Sequence, residues 1–169
     1  MRDPIIVAKE ILKNYSKTES WKILLCHLDK QTGVLSEKER IKIALDWILQ
    51  MQNQDGGIAS QYSLLYGRCP NFPETTGYII PTLTKGYKFL NDQKYLDAAR
   101  KAGDWLLKIQ NEKGYFCDIF YEDRPMIFDT AQAMSGLIAI YDLDKNQKYL
   151  DAARKAGDWL IDQQEEDGR

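Results

Sequence analysis

A string of fourteen residues occurs twice in this chain without change. QKYLDAARKAGDWL occupies residues 93–106 and recurs at residues 147–160, an offset of 54 residues. A looser copy, ALDWILQMQNQDGGI, lies at residues 44–58. Self-similarity at a period of this length is typical of an array in which one supersecondary unit stacks on the next. The chain is therefore expected to fold as a repeat protein.

Each repeat is predicted to be a helical hairpin. In the fourteen-residue string, apolar and small residues recur at spacings of three and four, which places them on one helical face. Residues 73–90 and 128–143 are more apolar and are predicted to form the other helix of each unit. Pro81 is expected to kink the first of these helices, and Asp129 or Thr130 to cap the second.

The ends of the amphipathic helices carry their own signals. Ser36 and Glu39 form a capping-box pattern that is predicted to open the first amphipathic helix. Gly114 and its equivalents Gly56 and Gly168 are predicted to end these helices in the left-handed conformation that glycine adopts freely. The intervening stretch from residue 54 to residue 71 lacks periodicity and is predicted to be a long connection.

The whole of residues 1–169 is predicted to be a single all-α domain, because the chain is long enough for one core and short for two. Its predicted parts are N-terminal helices in 1–35, the first repeat helix with its long loop in 36–72, and hairpins in 73–114 and 115–169.

Composition excludes several classes of function. With 23 basic and 25 acidic residues, the net charge is −2, which argues against a strongly basic nucleic-acid-binding protein. No apolar run reaches the roughly 18–20 residues of a membrane span, and Asp3, Lys9 and Glu10 interrupt any secretory signal. Three dispersed cysteines favour a reducing compartment and a cytoplasmic location. The lone His27 has no partner histidine, so neither a metal nor a cofactor is expected.

The stretch KAGDWLLKIQNEKGYF, residues 101–116, resembles the QW repeat of the terpenoid-cyclase and protein-prenyltransferase toroids. In that motif the glutamine caps a neighbouring helix and the aromatic residue packs beside it. DGGIASQYSLLYGRCPNFPETTGYIIPTL and IFDTAQAMSGLIAIYDL are most similar to a prenyltransferase-like, squalene-oxidase-repeat family of bacterial polysaccharide gene clusters. Six-hairpin glycosidases share a similar architecture. The resemblance implies an α/α-toroid built from tandem hairpins, of which this chain supplies about three, a partial or half ring.

In the toroids that the chain resembles, the N-termini of the inner helices line the mouth of a central cavity. Two acidic residues fall at such ends, Glu74 and Asp129, and they are the predicted catalytic residues. A pair of carboxylates suits general acid–base chemistry on a sugar, as in glycosidases. The alternative is that both only stabilise helix starts, an effect of about 0.5–2 kcal/mol. The 54-residue offset places Thr75, and not Glu74, in register with Asp129.

Aromatic and basic residues in the two long loops, with polar positions on the inner helices, are predicted to bind a saccharide. Tyrosine rings stack on sugar faces, and an arginine fork binds a carboxylate or phosphate. The alternative is that the aromatic residues anchor the loops, that the arginines pair with nearby acids, and that Gln132 makes a buried polar contact. The predicted binding residues are Tyr62, Tyr66, Arg68, Tyr78, Tyr121, Arg124 and Gln132.

Three function classes follow from these features. The favoured class is a carbohydrate-related toroid protein that binds or processes an acidic poly- or oligosaccharide, as a glycoside hydrolase or lyase if it is an enzyme. The second is a non-catalytic helical-repeat module, either a homo-oligomer or a binding partner for another protein or for a missing C-terminal half of the ring. An isoprenoid enzyme is disfavoured, because no DxDD or DDxxD string is present to hold a magnesium diphosphate.

Overall fold

The computed structural model describes residues 34–63, 67–118 and 121–168, with the backbone alone for residues 121–123. Its helices are α1 (Glu37–Gln50), α2 (Pro73–Leu90), α3 (Gln93–Ile109), α4 (Ile127–Asp144) and α5 (Gln147–Asp162). Its short strands are β1 (Tyr62–Ser63), β2 (Gly67–Arg68), β3 (Cys117–Asp118) and β4 (Tyr121–Pro125). The predicted all-α fold of tandem helical hairpins is confirmed. The helices predicted before residue 34 lie outside the described residues.

Two complete hairpins are described, α2 with α3 and α4 with α5, and α1 precedes them as an outer helix. The inner helices α2 and α4 pack directly on each other through backbone contacts. A Cβ atom built on Gly77 would lie 2.4 Å from the Gln132 carbonyl oxygen, and one on Gly136 would lie 2.5 Å from the Gly77 oxygen. Because any side chain at these two positions would overlap the neighbouring backbone, the glycines set the distance between the inner helices.

The outer helices α3 and α5 bury one face and expose a charged one, as their amphipathic pattern predicts. Tyr95, Ala99 and Leu106 of α3 belong to a continuous core that α2 and α4 complete. Asp92 caps α3 by accepting a hydrogen bond from the Lys94 N–H, at 3.2 Å. Burial of the apolar face supplies most of the stability of such a helix.

The starts of the helices partly follow the sequence prediction. The capping box at α1 is present, with the Ser36 N–H donating to Glu39 Oε2 at 2.8 Å. The prediction that Asp129 or Thr130 caps α4 is wrong, because the N-cap is Met126, which makes no side-chain cap bond. The Met126 N–H donates to the Phe116 oxygen at 3.0 Å, so the chain enters the helix at that point.

The repeated glycines take the predicted backbone conformation but at a different place. Gly56 and Gly114 both have φ +102°, yet α3 ends at Ile109, and Gly114 lies in a separate turn after it. A Cβ atom at Gly114 would lie 2.1 Å from the Lys155 oxygen of α5. Glycine is therefore needed both for the turn and for its close approach to the next outer helix, and its prediction as a helix C-cap is wrong.

The QW-like glutamines join each repeat to the following one. Gln52 Nε2 donates to an oxygen of its own turn and to the Ala98 oxygen of α3, at 2.8 and 2.9 Å. Gln110 Nε2 makes the same pair of bonds in the next repeat, the second to the Ala152 oxygen of α5. Each glutamine contacts the neighbouring helix, as the resemblance implies, but at a carbonyl within the helix body.

None of the helices in the described ranges is long and apolar enough to span a membrane.

Candidate functional site

A threonine in the first turn of each inner helix fixes the loop above it. Thr76 and Thr130 are fully buried. The Oγ1 of Thr76 accepts the Ile58 N–H, and the Oγ1 of Thr130 accepts the Phe116 N–H, each at 3.0 Å. Because the same bond recurs in both repeats, the two long loops are held over the N-terminal ends of α2 and α4 in the same way.

The two loops contain small antiparallel ladders. In the first, β1 pairs with β2 through Tyr62 and Arg68, below an isolated bridge between Ala59 and Asn71. In the second, β3 pairs with β4 through Cys117 and Pro125. The long connection predicted over residues 54–71 thus contains paired residues that the sequence did not indicate, because runs of two paired residues are too short to show a strand pattern.

Asp129 is the most unusual residue of this region. It lies in the first turn of α4, its exposed fraction is 2%, and its Oδ2 atom has no hydrogen-bond partner in the described part of the chain. Burial raises the pKa of Asp129 to about 6, and the charges of Glu74 and Asp118 act in the same direction. Asp129 is therefore a carboxyl group that exchanges its proton close to neutral pH.

Four of the predicted site residues share the paired ends of α2 and α4. Glu74, half-buried in the first turn of α2, is near enough to Asp129 for their charges to interact. Tyr78 follows one turn later and is 43% exposed. Gln132 follows Asp129 by one turn, is half-buried, and its backbone touches α2 at Gly77. The structure thus brings two carboxyl groups, a tyrosine and an amide to one end of the inner-helix pair.

Two loop residues have structural contacts of their own. The Tyr62 ring packs on Trp47 of α1, with ring centroids 5.7 Å apart. Arg68 Nη1 donates to the oxygens of Gln50 and Gln52, at 3.2 and 3.0 Å, which ties β2 to the end of α1. For Tyr62 the alternative prediction, that the ring anchors the loop, is observed. For Arg68 the alternative prediction is pairing with a nearby acid, but within the described residues it pairs with backbone oxygens. The roles of both in sugar binding stay predictions.

The remaining predicted residues are only partly described. Arg124 lies near the end of β4 and is exposed. Tyr66 and the side chain of Tyr121 lie outside the described residues. Asp118 was not among the predicted site residues, although its charge acts on Asp129. Its only signal in the sequence is a difference between the repeats. Asp118 lies two residues after Phe116, and the equivalent position, two residues after Ile58, is Ser60.

The described residues contain no group of three His, Cys, Asp or Glu side chains suited to hold a metal ion. Cys69 and Cys117 are half-buried residues of the two loops.

Comparison with known proteins yields one informative match. No protein-family model matches the chain. The chain is 30% identical over 123 residues to a D-glucuronyl C5-epimerase of Caenorhabditis elegans, a match that covers 64% of this chain and 20% of the relative. The chain thus spans about a fifth of the length of this relative.

Proposed function

We propose that the chain is part of a carbohydrate-active protein, and that the ends of α2 and α4 bind a uronic-acid-containing oligosaccharide and exchange protons with it. The observation that carries this proposal is Asp129, a buried carboxyl group beside a second carboxyl group, with one oxygen that has no hydrogen-bond partner among the described residues. Buried polar atoms without partners are rare in folded proteins, and strongly shifted pKa values cluster at functional sites.

The repeat itself supports a functional reason for this acid. Thr75 holds the equivalent position in the preceding hairpin, which reproduces the threonine anchor, the glycine turn and the glutamine bonds without a carboxylate there. The architecture therefore does not require an acid at this position. Asp129 is an acidic residue of the first turn but not the N-cap of its helix, so side-chain capping does not account for its burial.

The proposed roles follow from the environment of each group. Asp129, with its pKa of about 6, donates or accepts a proton near neutral pH, and Glu74 supplies the second carboxyl group of an acid–base pair. Tyr78 offers an exposed ring on which a sugar can stack, and Gln132 an amide for its hydroxyl groups. Arg124, exposed on the adjoining loop, is the proposed partner for the carboxylate of an acidic sugar.

The similarity to a D-glucuronyl C5-epimerase supports proton transfer at C5 of a uronic acid as the reaction class. In such a reaction a base removes the C5 proton, and the electron pair of the C–H bond moves into the adjacent carboxyl group. An acid then returns a proton to C5 on the opposite face, with no oxidation or reduction. Two carboxyl groups, one acting as the base and the other as the acid, can supply both transfers.

The test uses glucuronate-containing oligosaccharides and three variants. Asp129→Asn and Glu74→Gln change the two proposed proton-transfer groups, and Asp142→Asn makes the same chemical change at an exposed position near the far end of α4. We expect the first two to weaken binding measured by calorimetry at least tenfold and the control to bind as the parent does. Absence of binding by the parent chain, or equal binding by all variants, would contradict the proposal.

The reaction class is tested in the same samples. In D₂O, proton transfer at C5 introduces deuterium into the recovered sugar, whereas hydrolysis creates new reducing ends and elimination creates an ultraviolet-absorbing double bond. We expect deuterium incorporation that depends on Asp129. Binding that is lost in the variants without any of the three products would identify a binding module and not an enzyme.

A further inference from the structure

The face of α4 and α5 that continues the repeat direction is called the terminal face here. It carries Ile127, Leu160, Ile161 and Gln164. The positions 54 residues earlier are covered by the following hairpin, since Leu106 is fully buried and Leu107 is half-buried against the core. On the terminal face, by contrast, Ile127 and Ile161 are 60% and 69% exposed, and Leu160 is half-buried. Ile127, Leu160 and Ile161 line a groove of about 330 Å³.

An aspartate on each outer helix makes the same contacts with the next outer helix. Asp46 of α1 accepts from Lys94 Nζ and from the Tyr95 hydroxyl of α3, both at 2.8 Å. Asp104 of α3 accepts from the Lys–Tyr pair that opens α5, at 2.7 and 2.8 Å. The Lys–Tyr pair in the first turn of one helix thus recognises the aspartate of the helix before it.

The third aspartate of this series is Asp158, and it has no hydrogen bond or ion pair in the described part of the chain. The same holds for Arg154, whose equivalent Arg100 donates to both carboxylate oxygens of Asp144, at 2.8 and 2.7 Å. Gln164 Nε2 donates to the oxygen of its own turn, at Gly168, and makes no second bond to any helix that the structure describes, whereas Gln110 does. Every element of the inter-repeat contact is therefore present on the terminal face except the partner.

We propose that the terminal face docks a further helical hairpin of this repeat type, one whose first helix ends in an acidic residue and whose second helix opens with Lys–Tyr. The acidic residue pairs with Arg154 and the Lys–Tyr pair binds Asp158, while apolar residues of the hairpin cover Ile127 and Ile161. This assignment rests on the continuity of the face with the interface already present between the two hairpins.

A second copy of this chain does not meet these requirements. The Lys–Tyr dipeptide occurs only at residues 94–95 and 148–149, and both copies are already bound to Asp46 and Asp104. In α1, alignment of Trp47 with Trp105 puts Ser36–Glu37 in the place of Lys94–Tyr95. Glu37 would oppose Asp158 with a like charge.

The experiment extends the chain by one period. A second copy of residues 115–168 is fused after Gly168, which supplies a hairpin with its own acid and Lys–Tyr pair in the correct order. We expect a single cooperative unfolding transition with a midpoint at least about 5 °C above that of the parent, because the new interface adds to the stability of a repeat array.

The matched control reverses the two unpartnered charges, Arg154→Glu with Asp158→Lys, in both chains. Both residues are exposed in the parent, so the reversal should shift its midpoint by less than about 1 °C. In the extended chain it should remove at least half of the gain. Equal effects in both chains, or an extended chain that unfolds at the parent midpoint or in two transitions, would overturn the proposal. Self-association of the parent that the charge reversal abolishes would instead identify a second copy as the occupant.

Discussion

The hairpins α2–α3 and α4–α5 have nearly the same outer helix but different inner helices, and one of the differences is a buried acid in α4. Their outer helices share fourteen residues without change, and Thr76 and Thr130 make the same 3.0 Å bond to the loop above. Contacts that occur in both hairpins stabilise the repeat array. At one position where the hairpins differ, Thr75 in α2 and the buried Asp129 in α4, the first hairpin forms the recurring contacts without a carboxyl group. Comparison of the repeats thus shows that those contacts do not require an acid at this position.

A second difference concerns what covers each hairpin. Contacts that join α3 to α5 recur between α1 and α3, but their third set, on α5, is unpartnered in the described residues. The strength of the recurring contacts can therefore be measured at two covered positions and compared with the uncovered one.

The largest effect is expected at the glycine turns. Gly114→Ala and Gly56→Ala should each lower the free energy of unfolding by roughly 3 kcal/mol, because both need φ +102° and a Cβ atom would lie 2.1 or 2.5 Å from a carbonyl oxygen of the next outer helix. Gly67→Ala is the control, since Gly67 also has a positive φ but no atom within 4 Å of the added carbon. It should cost only about 1 kcal/mol. Urea titration measures the loss of unfolding free energy in all three variants. Similar losses at all three positions would mean that the turns do not pack closely against the next outer helix.

The next largest effect is a dependence of stability on pH that arises from the hairpin with Asp129. The pKa of Asp129, about 6 in the folded protein, is above its ordinary value, so the folded state holds a proton that the unfolded state has released. Stability contributed by that proton is present below about pH 4 and is lost as the pH rises through 6, a change of roughly 3 kcal/mol. Asp129→Asn should remove this decline, and the curve of unfolding free energy against pH should flatten between pH 4 and 7.

Two further variants sharpen this result. Glu74→Gln should reduce the decline without abolishing it, because burial is the larger cause of the shift and the charge of Glu74 the next. Thr75→Val changes the equivalent position of the other hairpin and should leave the decline intact. Identical pH profiles for the parent and Asp129→Asn would show that Asp129 titrates normally and would remove the main support for the proposed site.

The glutamine contacts give a smaller and graded effect. Gln52→Ala and Gln110→Ala each remove two hydrogen bonds, one of them to the neighbouring helix, and should cost about 1–2 kcal/mol. Gln164→Ala removes one exposed bond within its own turn and should cost less than about 0.5 kcal/mol. Chemical denaturation of the three variants is the measurement, and a cost at Gln164 equal to that at Gln110 would contradict an unpartnered terminal face.

The sequence was sufficient to predict the hairpin repeat, because periodic burial of the residues around Ala99 and Leu106 follows from spacing alone. It also placed Glu74 and Asp129 at inner-helix ends. It did not locate the N-cap at Met126, because that boundary depends on a bond to Phe116 across the loop. Nor did it show that Asp129 is buried with one oxygen that has no hydrogen-bond partner among the described residues, since burial at a helix end depends on the packing of α2, α4 and β3, which no local pattern encodes.

The smallest expected effect tests whether the two covered interfaces contribute equally to stability. Tyr95→Phe and Tyr149→Phe each remove one hydroxyl from an aspartate that keeps a lysine partner, so each should cost about 1 kcal/mol. Tyr78→Phe, on an exposed ring, is the control and should cost almost nothing.

Acid unfolding adds a second readout for the first of these interfaces. Burial opposes the ionised form of Asp46, but hydrogen bonds from Lys42, Lys94 and Tyr95 outweigh it and hold the pKa of Asp46 well below its usual range. The resulting stability is present above about pH 4 and is lost as the pH falls. Tyr95→Phe should therefore move acid unfolding to a higher pH, while Tyr78→Phe should not. One tyrosine variant could lower the free energy of unfolding clearly while the other leaves it unchanged. The repeated contact would then be present in both interfaces but would stabilise only one of them. In that case Asp158 would be weaker evidence for what docks on the terminal face.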